Sequence, residues 1–152
     1  MKSILGSIVL FFLVSTLAMG QSERKVSLVA SPDAPGSLSV HRLERCLEQL
    51  AHEWKVPEKD LPNVVVFHVS KKVADSAFVV DDVAVRRNHS GNTGGEYYEL
   101  WLVGQPDRKY VLGLQNVVEY HFGLKPTDDE RATVVARVAR IEDATVNVAE
   151  GK

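Results

Sequence analysis

The stretch VVEYHFGL, residues 117–124, has the outline of a metal-binding helix. Peptide hydrolysis by zinc needs two ligands one helical turn apart, because side chains at i and i+4 leave the same face of a helix and can grip one ion. A glutamate beside the first ligand then acts as the base that activates the metal-bound water. In that geometry Val117 stands at the first ligand position, Val118 at the base position and His121 at the second ligand position. Valine offers no lone pair to zinc and no base to water, so only His121 keeps a donor. An imidazole at the edge of the core, hydrogen-bonded to a carbonyl, accounts for His121 without any metal.

The other reactive residue types are scattered. His52 in AHEWK has Val56 four residues on, which fails the same ligand test, and a polar helix face explains it. His68 follows Val64 and Val66 on one side of an apolar stretch, and His41 and Glu44 are three apart with no further ligand in view. Cys46 lies between Leu43 and Leu47 in a helical pattern and reads as a small buried hydrophobe. No serine sits in a GxSxG elbow. The glycine-rich SGNTGG leads into a strand and not into a helix N-terminus, so it reads as a hairpin loop and not a phosphate cradle. Asn88-His89-Ser90 has the form of a glycosylation acceptor.

These residues belong to a chain of 152 with a formal net charge of -2. That balance argues against nucleic acid as a partner, and no polybasic run suits an anionic membrane surface. The opening MKSILGSIVLFFLVSTLAMGQSE places Lys2 ahead of an apolar run from Ile4 to Leu17, then small residues at Ala18 and Gly20, the layout of a signal peptide cleaved after Gly20. The run falls short of the roughly 20 apolar residues that span a bilayer. The expectation is a secreted or periplasmic protein starting at Gln21, with no membrane span once residues 1–20 are gone. One cysteine permits no internal disulfide, so stability must come from packing.

The elements that would position these side chains follow from periodicity. Residues 21–38 carry prolines, glycine and polar residues and read as a tether, with the apolar stretch from Val26 to Ala30 as a candidate edge strand. Val40, Leu43, Leu47, Leu50, Ala51 and Trp54 then recur at helical spacing from a Ser39 cap to a stop before Pro57. NVVVFHVS reads as a strand, Lys71 to Phe78 as a short helix or turn, and FVVDDVAVRRN as a second β segment. In EYYELWLVG the side chains alternate, with Tyr98, Leu100 and Leu102 on one face and Tyr97, Glu99 and Trp101 on the other. RKYVLGLQNVVEYHFGL is a helix that Gly123 stops in a left-handed conformation. TDDE opens the last helix with a capping box between Thr127 and Glu130, and that helix runs to about Val146. The expected fold is an α+β domain over residues 39–148 with a tail at 149–152. It has an amphipathic first helix, a small mixed or antiparallel sheet of three or four strands, and two C-terminal helices.

With YYELWLV, VVEYHFGL and TDDE in that order, the chain resembles the core of the zincin metallopeptidases over roughly residues 39–148, without their HExxH motif. The resemblance implies a catalytically degenerate domain with no cofactor, Val117, Val118 and His121 marking the lost site. It implies that a third glutamate ligand, where zincins use one, would come from the region of Glu142, which reads more simply as a solvated helix residue. It also implies that YYELWLV is an edge strand able to receive an extended peptide or an envelope protein, with Tyr97, Glu99 and Trp101 on the contact face. The functional expectation is therefore an exported binding or interaction module. The alternative is a hydrolase whose site is not legible as a motif.

Overall fold

The fold is that of a computed structural model, which describes residues 25–89 and 95–149. The expected leader, most of the SGNTGG loop (residues 90–94) and residues 150–152 lie outside the described residues. The chain runs β1 (Val26–Ala30), α1 (Val40–Glu53), β2 (Asn63–Val69), α2 (Lys71–Ser76), β3 (Val83–His89), β4 (Glu96–Val103), α3 (Lys109–Phe122) and α4 (Asp128–Ala149), with a single 3-10 turn at Glu58–Asp60. It is an α+β arrangement around a four-stranded sheet of order β1-β2-β4-β3. The first three strands in that order are parallel and β3 runs antiparallel to β4. The candidate edge strand at Val26–Ala30 is thus real, and Val26 has no exposed surface.

Local chemistry explains where the elements start and stop. The Ser39 side chain accepts from the Arg42 amide at 3.1 Å and opens α1. Thr127 and Glu130 satisfy each other's backbone amides at 3.0 and 3.1 Å, the capping box expected at the head of α4. Gly123, at φ 65°, ends α3, and the Leu124 amide folds back to the Glu119 carbonyl at 2.9 Å. The β segment expected from Phe78 onward is shorter than its sequence suggests. Phe78 adopts φ 58° and ends α2, so only Val83–His89 joins the sheet.

One face of the sheet carries the main core. Val64, Val66, Tyr98, Leu100 and Leu102 point into it and meet Leu43, Leu47 and Leu50 of α1, Leu114, Val117 and Val118 of α3, and Val134 and Val138 of α4. Among the described residues the opposite face is covered at one end, where Ala74 and Val79 around α2 pack against Val69 and Val103. On the rest of that face Val65 is buried and Phe67 and Trp101, both half-buried, stack at 4.5 Å between ring centroids.

Polar groups inside the core are paired. Trp54 donates to Gln115 at 2.8 Å, Gln115 donates to Glu119 at 2.8 Å, and Arg131 grips both oxygens of Glu119 at 2.8 Å. Burial works to raise the Glu119 carboxyl, but the bonds from Arg131 and Gln115 outweigh it and hold that group below its ordinary value. Glu142 corrects the sequence reading: it is fully buried, not solvated, and Arg45 holds its two oxygens at 3.3 and 3.0 Å. A buried carboxylate needs such a partner, since an unpaired one costs several kcal/mol of desolvation, about 3–5 when one member of a buried pair is removed.

Gly113 sets how closely α3 lies on β4. A Cβ there would overlap both Cδ atoms of Leu100, which is itself fully buried. Helix propensity alone predicts that Gly113→Ala stabilises α3 by about 1 kcal/mol. Overpacking against Leu100 outweighs it, so the substitution is expected to lower stability by about 1–2 kcal/mol. Urea denaturation decides the sign; a stabilised Gly113→Ala protein would mean that α3 and β4 are not in close contact.

Candidate functional site

The C-terminal half of α3 carries the three motif positions, and its packing separates them. Val117 and Val118 have no exposed surface and belong to the main core, whereas His121 is exposed at its rim. The first ligand position and the base position are therefore filled by packing and do not open on a cleft. His121 Nε2 lies 2.9 Å from the backbone oxygen of Asp60. A carbonyl oxygen only accepts, so Nε2 carries the proton and has no lone pair for a metal. The ring meets Tyr98 edge-on at 5.8 Å and Phe122 at 4.9 Å between centroids. This is the carbonyl-bonded imidazole at the core edge that the sequence suggested.

Glu142 stands far from His121. Helices α3 and α4 run antiparallel, with Arg131 on Glu119 near one end and Arg108 on Asp143 at 3.4 Å near the other. Glu142 thus lies beside the start of α3, where it adds to the field on Tyr110. Tyr110 precedes His121 by eleven positions, roughly 16 Å along a helix. No single ion reaches both side chains. Around Glu142, burial pushes the Tyr110 hydroxyl up to about 12 and raises the Cys46 thiol further still, so Cys46 is an unreactive core residue.

The remaining histidines are equally committed or isolated. His68 is buried and donates Nε2–H to the Gly104 carbonyl at 2.9 Å, tying the end of β2 to the end of β4. His89 lies 3.7 Å from Glu96, whose carboxyl the neighbouring Arg87 guanidinium holds below its ordinary value. Among the described residues no group of three or more histidine, cysteine, aspartate or glutamate side chains is placed to hold a metal ion. A cavity of about 600 Å³ between α1 and the turn before β2 is lined by Glu44, Glu48, Glu58, Lys25 and Lys59 over Leu47 and Leu61, and none of the motif positions reaches it.

Tyr97, Glu99 and Trp101 share the open face of the sheet, opposite the face that carries Val117, Val118 and His121, so the two candidate sets do not meet. Glu99 accepts from the Asn88 amide at 2.8 Å. That bond engages the nitrogen a glycan would need, and Asn88 lies within β3. The expectation that β4 is an edge strand is overturned. β4 is hydrogen-bonded to β2 on one side and to β3 on the other, leaving no free backbone groups for a further strand.

Among the described residues the unpaired edge beside α3 is β3, a feature the sequence did not reveal. Val103 donates to the Asp82 carbonyl at 2.9 Å, and the Gly104 amide turns the other way to Val69 of β2. In an antiparallel ladder the inward-bonding positions alternate, so Ala84, Arg86 and Asn88 bond to β4 while Val83, Val85, Arg87 and His89 turn their backbone amides and carbonyls outward. Helix α3 packs beside this edge. Alternation of apolar and polar residues marks a strand but does not say which neighbour it takes.

Val117→His together with Val118→Glu restores the motif on paper but places an imidazole and a carboxylate in a closed core. The double variant is expected to lose about 3 kcal/mol or more in stability and to gain no zinc. Thermal melts and elemental analysis after dialysis against zinc check both parts. Near-stoichiometric zinc in the wild type, lost in His121→Ala, would contradict this geometry.

Comparison with models of known protein families, with curated proteins and with solved structures gave no match, so function is read from this geometry alone.

Proposed function

We propose that this chain is an exported, non-catalytic domain of zincin-like build whose task is to bind an extended segment of another secreted or envelope protein. The open antiparallel edge of β3 beside α3 carries the reading. Strand addition needs neither metal nor base and uses backbone groups, which the edge offers at Val83, Val85 and Arg87, whereas the His89 amide donates to Asn88 Oδ1 at 3.0 Å. A packed Val117 and Val118 are compatible with such a role and incompatible with zinc hydrolysis at that helix.

The side chains around the edge suggest what the segment looks like. On the helix side, half-buried Val83 and Val85 favour an apolar residue. On the open face, Arg86 is exposed with no ion-pair partner among the described residues, and it favours an acidic residue across from it. Ala84 stands directly opposite Trp101 in the register. Because Ala84 is small, a large side chain of the partner can pass over it to Trp101, which gives Trp101 a role from inside the sheet; Tyr97 and Glu99 lie further along the same face. Charged residues at positions 86 and 87 also discourage indiscriminate edge-to-edge pairing.

Val85→Pro tests the reading, because it removes an outward amide without breaking a bond to β4. Wild type is expected to capture extended peptides from a random library, and Val85→Pro to bind the selected peptides about tenfold or more weakly while melting as a folded protein. Capture of nothing by the wild type, or equal capture by folded Val85→Pro, would end the proposal.

A further inference from the structure

The turn that feeds β3 breaks a local rule. Helix α2 ends with the Val79 amide on the Ala74 carbonyl at 2.9 Å and the Phe78 amide on the Asp75 carbonyl at 3.2 Å. The left-handed residue at such an end is ordinarily glycine, because a Cβ is disfavoured there. Here it is Phe78, at φ 58°. The ring gains no burial in return: Phe78 is 90% exposed and Val80 84%, the two most exposed large apolar side chains among the described residues. A backbone cost kept without a packing gain points to a use outside the chain.

The surroundings of the pair say what that use is. Val79, between them, is buried with Ala74, Val69 and Val103 on the open face of the sheet, and Ala84 and Trp101 pack against the same cluster. One apolar surface therefore reaches both the β3 edge, at Ala84, and the turn. The Asp82 carbonyl accepts from Val103, so the chain is on the ladder from Asp82 onward, while Val79 turns back to Ala74. Val80 precedes Val83, the first residue of the open edge, by three positions, at most about 11 Å of chain. Phe78 and Val80 thus stand at the head of the edge, just past its first outward backbone groups.

We infer, on the reading that β3 accepts an added strand, that Phe78 and Val80 form an apolar shelf which receives a large apolar side chain at one end of the bound segment. An antiparallel segment runs in the direction from His89 to Val83 and leaves the ladder past Asp82, beside the shelf. Its residue facing Arg86 is acidic, the residue two positions on faces Ala84 and reaches Trp101, and the apolar anchor follows beyond Asp82. The acidic residue therefore lies N-terminal to the anchor. Asp81 and Asp82, between shelf and edge, discourage apolar chains that lack this pattern.

Peptides selected from a random library on the full exported protein test it, by calorimetric titration of a selected peptide and its anchor-to-alanine form against wild type and Phe78→Gly. The selected peptides are expected to carry a large apolar residue C-terminal to an acidic one, and Phe78→Gly to bind them about tenfold more weakly. The anchor-to-alanine peptide is expected to lose about as much on wild type and little more on Phe78→Gly, because both changes remove one contact. Phe78→Gly is expected to melt no lower than wild type, since glycine relieves the left-handed backbone, so its weaker binding does not come from unfolding. Equal affinity of wild type and Phe78→Gly for a peptide that Val85→Pro binds weakly would overturn the shelf and leave strand addition standing. Additive losses, or selected peptides without the apolar anchor, would do the same. Binding that Phe78→Gly loses and Val85→Pro keeps would detach the apolar pair from the edge and overturn the inference, and a wild type that captures nothing removes shelf and strand addition together.

Discussion

The seating of α3 on β4 decides most of what this molecule can do. Gly113 lets the helix backbone come down onto Leu100, and Leu114, Val117 and Val118 then close over Tyr98, Leu100 and Leu102. Every one of these residues is buried, so the contact is a continuous apolar surface worth about 1.5–3 kcal/mol for each large side chain removed from water. The same contact closes the positions where a zinc ligand and a catalytic base would stand. β4 stands inside the sheet, between β2 and β3, and β3 is the edge on the α3 side. Val117 and Val118 serve this packing, and neither side chain has a donor to offer a metal.

Buried charge holds the outer helix on this unit. Arg45 on Glu142 and Arg131 on Glu119 tie α4 to α1 and to α3 at points well separated along its length. Neither pair is a strong source of net stability, because desolvation cancels much of the attraction. They instead specify register: sliding α4 by one turn would part both buried carboxylates from their guanidinium partners. The carboxylate of Glu142, a residue type that invites a chemical reading, is put to structural use by Arg45.

Much of this was legible in the sequence where the governing interactions are local. Ser39, Gly123 and the Thr127–Glu130 pair act within a turn or two, and each does what its position suggests. The alternation in EYYELWLV correctly sorted Tyr98, Leu100 and Leu102 from Tyr97, Glu99 and Trp101. Pairing between strands is another matter, because β2 and β4 meet across a helix and another strand and no local pattern records that choice. The misplaced edge at β4 came from this. Glu142 was misread for a related reason: its partner Arg45 is 97 positions away. Phe78 was hidden because a left-handed helix end is signalled by glycine, and this one dispenses with it.

Amide hydrogen exchange along β3, followed residue by residue in the free protein, tests the open edge most directly. The account predicts alternation, with the amides of Ala84, Arg86 and Asn88 protected by their bonds to β4 and those of Val83, Val85 and Arg87 exchanging as solvent-exposed groups. Uniform protection along the strand, or protection of the second set and not the first, would place a strand or a partner on the far side of β3 and contradict the account.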